Sequence, residues 1–404
     1  MSPKYVFLQA EAGFFSTFEN LIDVGLNEWR HCSKPRQEFL DYRLFNIKTM
    51  KIILAIDSFK GCLTSQAAEA AAERGVREQY PSAEILKVPV TDGGDGMLNV
   101  FCELFECDKF VVDSHDALMR PIRATFAVRK DGVCILETAV SCGINLLKAD
   151  ELNPLRGTTY GVGELMIAAI KHGCRDFIIG LGGSATSDCG LGMLRAFKDE
   201  YGEEWYNHPQ LKSLRIRLAS DVDNPLYGPK GAALIFGSQK GATESDIVFL
   251  DRRAMTFATM SAKKMGKDCS GMKGAGAAGG LGYAFMEFFD TEKESGADLL
   301  LREAHFSDLI AGADLIITGE GSADKQTLMG KIPQKVLQLA QSFKVPVHLI
   351  AGRVLNEVEL VGAGFTSVSS INTADMPKEK ALRPDIATEN IRNTVSRIVK
   401  NIYK

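Results

Sequence analysis

Two hydrophobic periods alternate along this chain from Met50 onward. Solid apolar runs of four to six residues give way to longer stretches in which apolar residues recur every three or four positions. The first pattern suits a strand buried on both faces, and the second lines one face of a helix. Lys51-Ile52-Ile53-Leu54-Ala55-Ile56 is the first such strand. Asp57-Ser58-Phe59-Lys60-Gly61 follows, then an alanine-rich helix capped by Thr64 or Ser65 and running to about Gln79. Glu84 to Val90 is the next strand, broken by Thr91-Asp92-Gly93-Gly94-Asp95-Gly96. From Lys109 to Thr138 the pattern becomes three short strands, KFVVD, IRATFAVR and VCILET, with Lys130-Asp131-Gly132 as a hairpin turn. This antiparallel block marks the start of a second domain.

Alternation of helix and strand then returns. Val162, Leu165, Met166, Ala169 and Ile170 share one helical face, ended by Gly173. Phe177-Ile178-Ile179 is a strand that breaks into Gly180, Gly182, Gly183, Ser184, Thr186, Ser187, Asp188 and Gly190, and apolar residues resume at Leu191. Lys198 to Pro209 reads as a polar surface excursion. Leu218-Ala219-Ser220 leads into Asp221-Val222-Asp223, a long helix opens near Glu244, and Gly271 to Gly282 is too glycine-dense to be helical throughout. Leu315-Ile316-Ile317 ends in Thr318-Gly319-Glu320-Gly321, a helix starts near Pro333, and Val347 to Ile350 ends in Ala351-Gly352-Arg353. Ile391, Val395, Ile398 and Ile402 mark a last helix. Residues 1–49 follow neither period, so Met50 reads as the natural start and the leader as an extension, with an N-terminal cap as the other reading.

Length and composition narrow the class. A chain of 404 residues exceeds what one core usually serves, which predicts two domains. Net charge is −4 without a basic run, so no nucleic-acid partner is expected, and no apolar stretch is long enough to span a membrane. Nine scattered cysteines without a CxxC pair fit the reduced thiols of a cytoplasm better than a disulfide framework or zinc site.

The candidate chemistry sits at strand ends. Asp57, Gly182 to Ser184, Gly319 to Gly321 and Gly352 each follow a short apolar strand. Parallel sheets bind ligands beyond the carboxyl ends of their strands, so these loops are expected to share a crevice. In the strand–loop–helix of residues 176–194, Gly182, Gly183 and Ser184 offer backbone and hydroxyl donors to an anion beside a positive helix end. Asp188 conflicts with pure anion binding, and a bound cation or a proton to be removed would resolve the conflict. Capping of the following helix is the alternative role. Asp92 and Asp95, three apart in a glycine turn, suit Mg²⁺, which takes one or two carboxylates and keeps its waters. The ordinary preference of turns for Asp and Gly competes with that reading.

From Met50 to the C-terminus the chain resembles the type-1 glycerate kinases. The matching segments are DSFKG at 57–61, TDGGDG at 91–96, NPLRGTTYGVGEL at 153–165 and IIGLGGSATSDCGLGML at 178–194. DVDNPLYGPKGA at 221–232, FGSQKGAT at 236–243, GAGAAGGLG at 274–282 and ITGEGSADKQTLMGK at 317–331 follow in the family's order. The resemblance implies a two-domain α/β fold. One domain, Rossmann- or flavodoxin-like with a parallel sheet and discontinuous, would take 50–107 and 286–404, and an inserted mixed α/β domain 108–285. It also implies phosphorylation of D-glycerate by ATP with Mg²⁺, 2-phosphoglycerate being the preferred product, in a crevice between the domains of a cytoplasmic enzyme. A homodimer is kept open.

On this reading Lys60, Asp57, Asp188 and Asp221 are the catalytic candidates. Gly182, Gly183, Ser184, Gly276, Gly279, Gly280, Gly319 and Gly321 are the cofactor-binding candidates, and Asp92 and Asp95 hold the metal. Lys60 is the cation best placed to neutralise transferring phosphate, and Lys240 is a second cation. Spacing does not say which aspartate is base and which binds metal. Departures from the family pattern are Ile56 for proline, Asp95 for glutamate, Ser238 for proline, Ser322 for arginine, and a short stretch from Phe197 to Arg217. Two other functions use the same features. A nicotinamide-dependent oxidoreductase would use GxGxxG at 274–279, although no apolar strand directly precedes it. A non-catalytic hydroxy-acid sensor would have to neutralise many carboxylates.

Overall fold

Strand β1 (Lys51–Ile56) is buried from Ile52 to Ile56 because it lies in the interior of a parallel sheet, next to β2 (Glu84–Lys87). The computed structural model describes residues 49–94 and 96–402, so the expectations for the leader and for Asp95 lie outside the described residues. Met50–Lys404 forms one compact unit.

After β2 the chain leaves to build a second sheet. Strands β3 (Cys107–His115), β4 (Pro121–Arg129) and β5 (Cys134–Glu137) are antiparallel. Strands β6 (Asp176–Gly180), β7 (Arg215–Ala219) and β8 (Thr291–Glu294) then continue the sheet in parallel, in spatial order β3-β4-β5-β6-β7-β8. The last strand comes from beyond residue 285, where the family resemblance placed the end of the insertion. It reads Thr-Glu-Lys-Glu, a charged edge strand with no apolar run to signal it. Only then does the chain return with β9 (Leu315–Ala323), β10 (Val347–Val354) and β11 (Ser367–Ser370). The first sheet becomes β11-β10-β9-β1-β2, all parallel. The fold is mixed α/β with two parallel-dominated sheets.

The sheets share a core. Ile178 of β6 and Ile135 of β5 point into the same cluster as Ile53, Ile316 and Leu349 of the first sheet. Their neighbours Phe177 and Ile179 point the other way, into a cluster built on the far face. Each such fully buried side chain contributes on the order of 2 kcal/mol.

Helices flank the sheets. Helix α1 (Ser65–Gln79) starts where the Ala67 N–H donates to Thr64 Oγ1 at 3.2 Å. Helices α2 (Met97–Leu104), α3 (Tyr160–Lys171), α4 (Leu191–Tyr201) and α5 (Glu244–Met265) follow. In α6 (Ala277–Phe288) the backbone at Ala278, Gly279 and Gly280 is left-handed, so the glycine run is indeed not helical throughout. Helices α7 (Gly296–Glu303), α8 (Ile332–Phe343) and α9 (Pro384–Lys400) complete the set used below. The stretch 198–209 is mostly exposed, as its composition suggested, and one aromatic side chain anchors it to the body. Trp205 is buried there and stacks on Phe197 at 5.5 Å. Among the described residues no helix is long and apolar enough to cross a membrane, and all eight cysteines are free thiols.

Candidate active site

The functional loops hang from the carboxyl ends of β1, β6, β7, β9 and β10. Asp57 follows β1 directly, its N–H donating to Gly319 O of β9 at 2.9 Å. Its carboxylate accepts from Ser58 N at 2.7 Å. Burial, reinforced by the neighbouring Asp92 and Glu320 carboxylates, overcomes the opposing Ser58 amide and Lys60 ammonium and raises its pKa from 3.8 to about 7. Lys60 Nζ donates to Asp92 Oδ2 at 3.0 Å. An exposed ion pair of this kind holds about 0–1 kcal/mol, so an incoming phosphate could draw the ammonium aside at little cost. On β9, Glu320 is buried: Oε1 accepts from Thr327 Oγ1 at 2.6 Å and Oε2 from Lys331 Nζ at 3.1 Å. Burial raises its pKa against both of those partners.

These residues frame two adjoining clefts. The larger, about 970 Å³, is walled by Asp57, Glu320, Gly321, Ser322, Lys331 and Arg353, and by the apolar Ile371, Met376 and Leu382. The smaller, about 670 Å³, is walled by Thr64 at the start of α1, by Gly93, Gly94, Gly182 and Gly183, and by Ser220 and Asp221. Ser58, Lys60, Cys62 and Asp92 belong to both and form the seam between them. Asp221 reaches solvent but is enclosed by the cleft walls. That desolvation, with Asp92 and Asp298 adding and Ser295 and Lys293 opposing, raises its pKa to about 6. Asp92 and Asp221 thus repel one another in the smaller cleft, a donor set that a divalent cation would neutralise. Among the described residues no group of three or more His, Cys, Asp or Glu is arranged to hold a metal by protein ligands alone.

The glycines of the smaller cleft serve a second purpose. A Cβ on Gly182 would sit 2.2 Å from Gly94 Cα, and one on Gly93, at φ +85°, would sit 3.0 Å from Ala219 O. The turn after β2 therefore locks backbone-to-backbone into the loops after β6 and β7. Only residues without Cβ permit it.

The motifs that build these walls are shared with known proteins. The sequence profile described as the Glycerate kinase family matches residues 52–207 and 204–403. The chain is 37% identical over 375 residues to a glycerate kinase of Bacillus subtilis, covering 87% of this chain and 98% of that protein. It is 35% identical over 352 residues to the glycerate 2-kinase of Escherichia coli K12, covering 81% and 92%. The chain belongs to the glycerate kinase family. A solved structure assigned as glycerate kinase 2 from Salmonella typhimurium LT2 matches it with a TM-score of 0.74 and 33% identity, over 88% of this chain and 98% of that one. As a family member the chain is a kinase.

The fold of this family member brings some of the sequence candidates together and leaves others apart. Asp57, Lys60, Asp92, Asp221, Gly182, Gly183 and Gly321 all line the clefts. Asp188 does not. Its buried Oδ2 accepts from Thr159 N at 2.9 Å, Thr159 Oγ1 at 2.9 Å and Gly192 N at 3.0 Å, and Oδ1 accepts from Gly190 N at 3.1 Å. The carboxylate ties the start of α4 to the start of α3, close to the capping alternative.

Gly276, Gly279 and Gly280 are also absent from both clefts. A Cβ on Gly279 would meet Thr186 O at 2.0 Å and one on Gly276 would meet Pro225 O at 2.4 Å, so this loop packs on the chain itself. The GxGxxG match at 274–279 therefore packs against neighbouring loops and lines neither cleft. Gly319 lies within the sheet, where Ile350 O crowds it, and Ser184 lies behind the wall. Glu320, Lys331 and Arg353 were missed as site residues. Glu320 could have been found, because an acidic residue directly after a buried parallel strand is placed by the same logic as Asp57. Ser322, the departure from the family's arginine, stands opposite Arg353 in the β9–β10 register, so a guanidinium is present one strand away.

Proposed function

We propose that the chain phosphorylates D-glycerate with ATP and Mg²⁺, that the nucleotide phosphates occupy the smaller cleft, and that glycerate occupies the larger. The observation that carries this reading is the seam. Lys60 and Asp92 stand on the boundary of both clefts, with Asp57 beside them. Phosphoryl transfer needs a cation between donor and acceptor, and a carboxylate to take the hydroxyl proton.

The start of α1 and the Gly93–Gly94 and Gly182–Gly183 backbones favour polyphosphate in the smaller cleft. Lys331 and Arg353 in the larger cleft suit the glycerate carboxylate. A carboxyl with pKa about 7 is matched to proton transfer at neutral pH, so Asp57 is the proposed base and Lys60 neutralises the moving phosphoryl group. Asp92 and Asp221 would hold Mg²⁺, which when bound neutralises phosphate charge. The 2-hydroxyl is the preferred acceptor by family resemblance and by the name of the E. coli relative. Free thiols suit a cytoplasmic enzyme.

A coupled ADP-release assay tests the reading: release should require D-glycerate and Mg²⁺ together. Release independent of glycerate would overturn it. Phosphorus NMR of the product, expected to show 2-phosphoglycerate, reads the regiochemistry. Lys331→Met should raise the KM for glycerate and leave that for ATP unchanged; the reverse would exchange the clefts.

A further inference from the structure

Lys240 carries a charge that the clefts do not use. Its side chain is only 3% exposed and belongs to neither cleft wall. Nζ donates to Ser184 Oγ at 3.1 Å and to the Thr186 carbonyl at 2.6 Å. Burial lowers its pKa to about 8, opposed by the charge of the nearby Asp188 carboxylate. Enclosing an ammonium is costly, and its hydrogen bonds to Ser184 and Thr186 offset that cost.

The loop it grips is tied on its other sides as well. Ile144 N donates to Gly183 O at 2.8 Å, and Ala185 N donates to Cys142 O at 2.8 Å. Arg253 Nη2, from α5, donates to Ser187 O at 2.7 Å. Two cations thus hold consecutive carbonyls, those of Thr186 and Ser187. The residues on the opposite side of the Ser184 anchor are Gly182 and Gly183, which form the cleft wall itself.

We infer that Lys240 is a positioning residue: by holding Ser184 Oγ and the Thr186 carbonyl, it fixes Gly182 and Gly183 in the conformation that receives nucleotide phosphate. The inference rests on the proposal that phosphate binds in the smaller cleft, and it assigns Lys240 a role distinct from direct neutralisation of phosphate. Lys240 lines neither cleft, so its effect is felt through the loop.

Two measurements on the full chain test it. Hydrogen exchange followed by mass spectrometry, without ligand, should show faster exchange over residues 181–187 in Lys240→Met, with β1 and α9 unchanged. Steady-state kinetics should show the KM for ATP raised roughly tenfold or more, the scale of a lost charged hydrogen bond, with the KM for glycerate unaltered. Ser184→Ala removes one of the two bonds, so it should shift both readouts in the same direction but less, and it serves if Lys240→Met does not fold. Combined with Lys240→Met, Ser184→Ala should add nothing further.

Unchanged exchange over 181–187 in a folded Lys240→Met or in Ser184→Ala would overturn the inference. So would an equal rise in both KM values. A wild-type chain that turns over no glycerate would overturn the functional proposal instead, while the ligand-free exchange still decides whether Lys240 holds the loop.

Discussion

Asp57 gives the site a pH signature. With a folded pKa of about 7, its base form, and with it kcat, should rise as pH increases through neutrality. Asp57→Asn should lower turnover about a hundredfold or more and flatten that acidic limb, both read from a pH–rate profile. Stability runs the other way. The folded pKa lies above the ordinary 3.8, so the native state holds a proton that the unfolded state has lost, and stability from this group falls as pH rises from about 4 through 7. At pH 8, Asp57→Asn should therefore melt higher than wild type while being nearly inactive.

Asp188→Asn should show the opposite pairing. Three donors converge on Asp188 Oδ2 and one on Oδ1, so in either orientation an asparagine amide turns its NH₂ toward a donor that it cannot accept from. The variant should lose about 1–3 kcal/mol by denaturant unfolding while its folded fraction turns over near normally. A hundredfold loss of turnover at unchanged stability would restore Asp188 as a catalytic group.

At the level of elements, the glycine interlock is the exposed joint. Gly182→Ala would drive Cβ to 2.2 Å from Gly94 Cα, backbone against backbone with no flexible atom to yield. It should lower the melting temperature by several degrees and reduce activity, whereas Gly271→Ala, with nothing within 4 Å of its Cβ, should change neither. The same interlock explains what sequence could and could not reveal. Strands β1, β6 and β9 were legible because interior strands are solidly apolar, and the loops after them were legible as site walls because parallel strands end at ligands. Glycine is ambiguous in a way that hydrophobic runs are not. It permits approach by a ligand or by another segment of the same chain, and only the fold separates Gly183, on a cleft wall, from Gly279, under Thr186 O. Charged β8 and Lys331, which reaches back to Glu320 from eleven residues away, carry no local signal at all.

For the whole molecule, the unit Met50–Lys404 contains both sheets and all of the family match. A chain beginning at Met50 should keep its activity and melt within a degree or two of the full chain in calorimetry; a drop of several degrees would mean that the leader contributes on the order of 1 kcal/mol or more. The order in which the ribosome delivers the strands is set by the way one sheet is threaded through the other. β1 is among the first segments made, yet the Lys51 backbone waits for Asp314, 263 residues later, to find its partner. By the time Glu294 has emerged, the second sheet has all its strands, whereas the first has only β1 and β2. A nascent chain of this length exposes the most apolar of the described strands with one side unpaired, the state in which edge pairing between molecules begins. The most aggregation-prone stage in the synthesis of this kinase therefore lies before β9 emerges, and a chaperone that shields β1 at that stage should raise the yield of active enzyme more than one that acts on the finished chain.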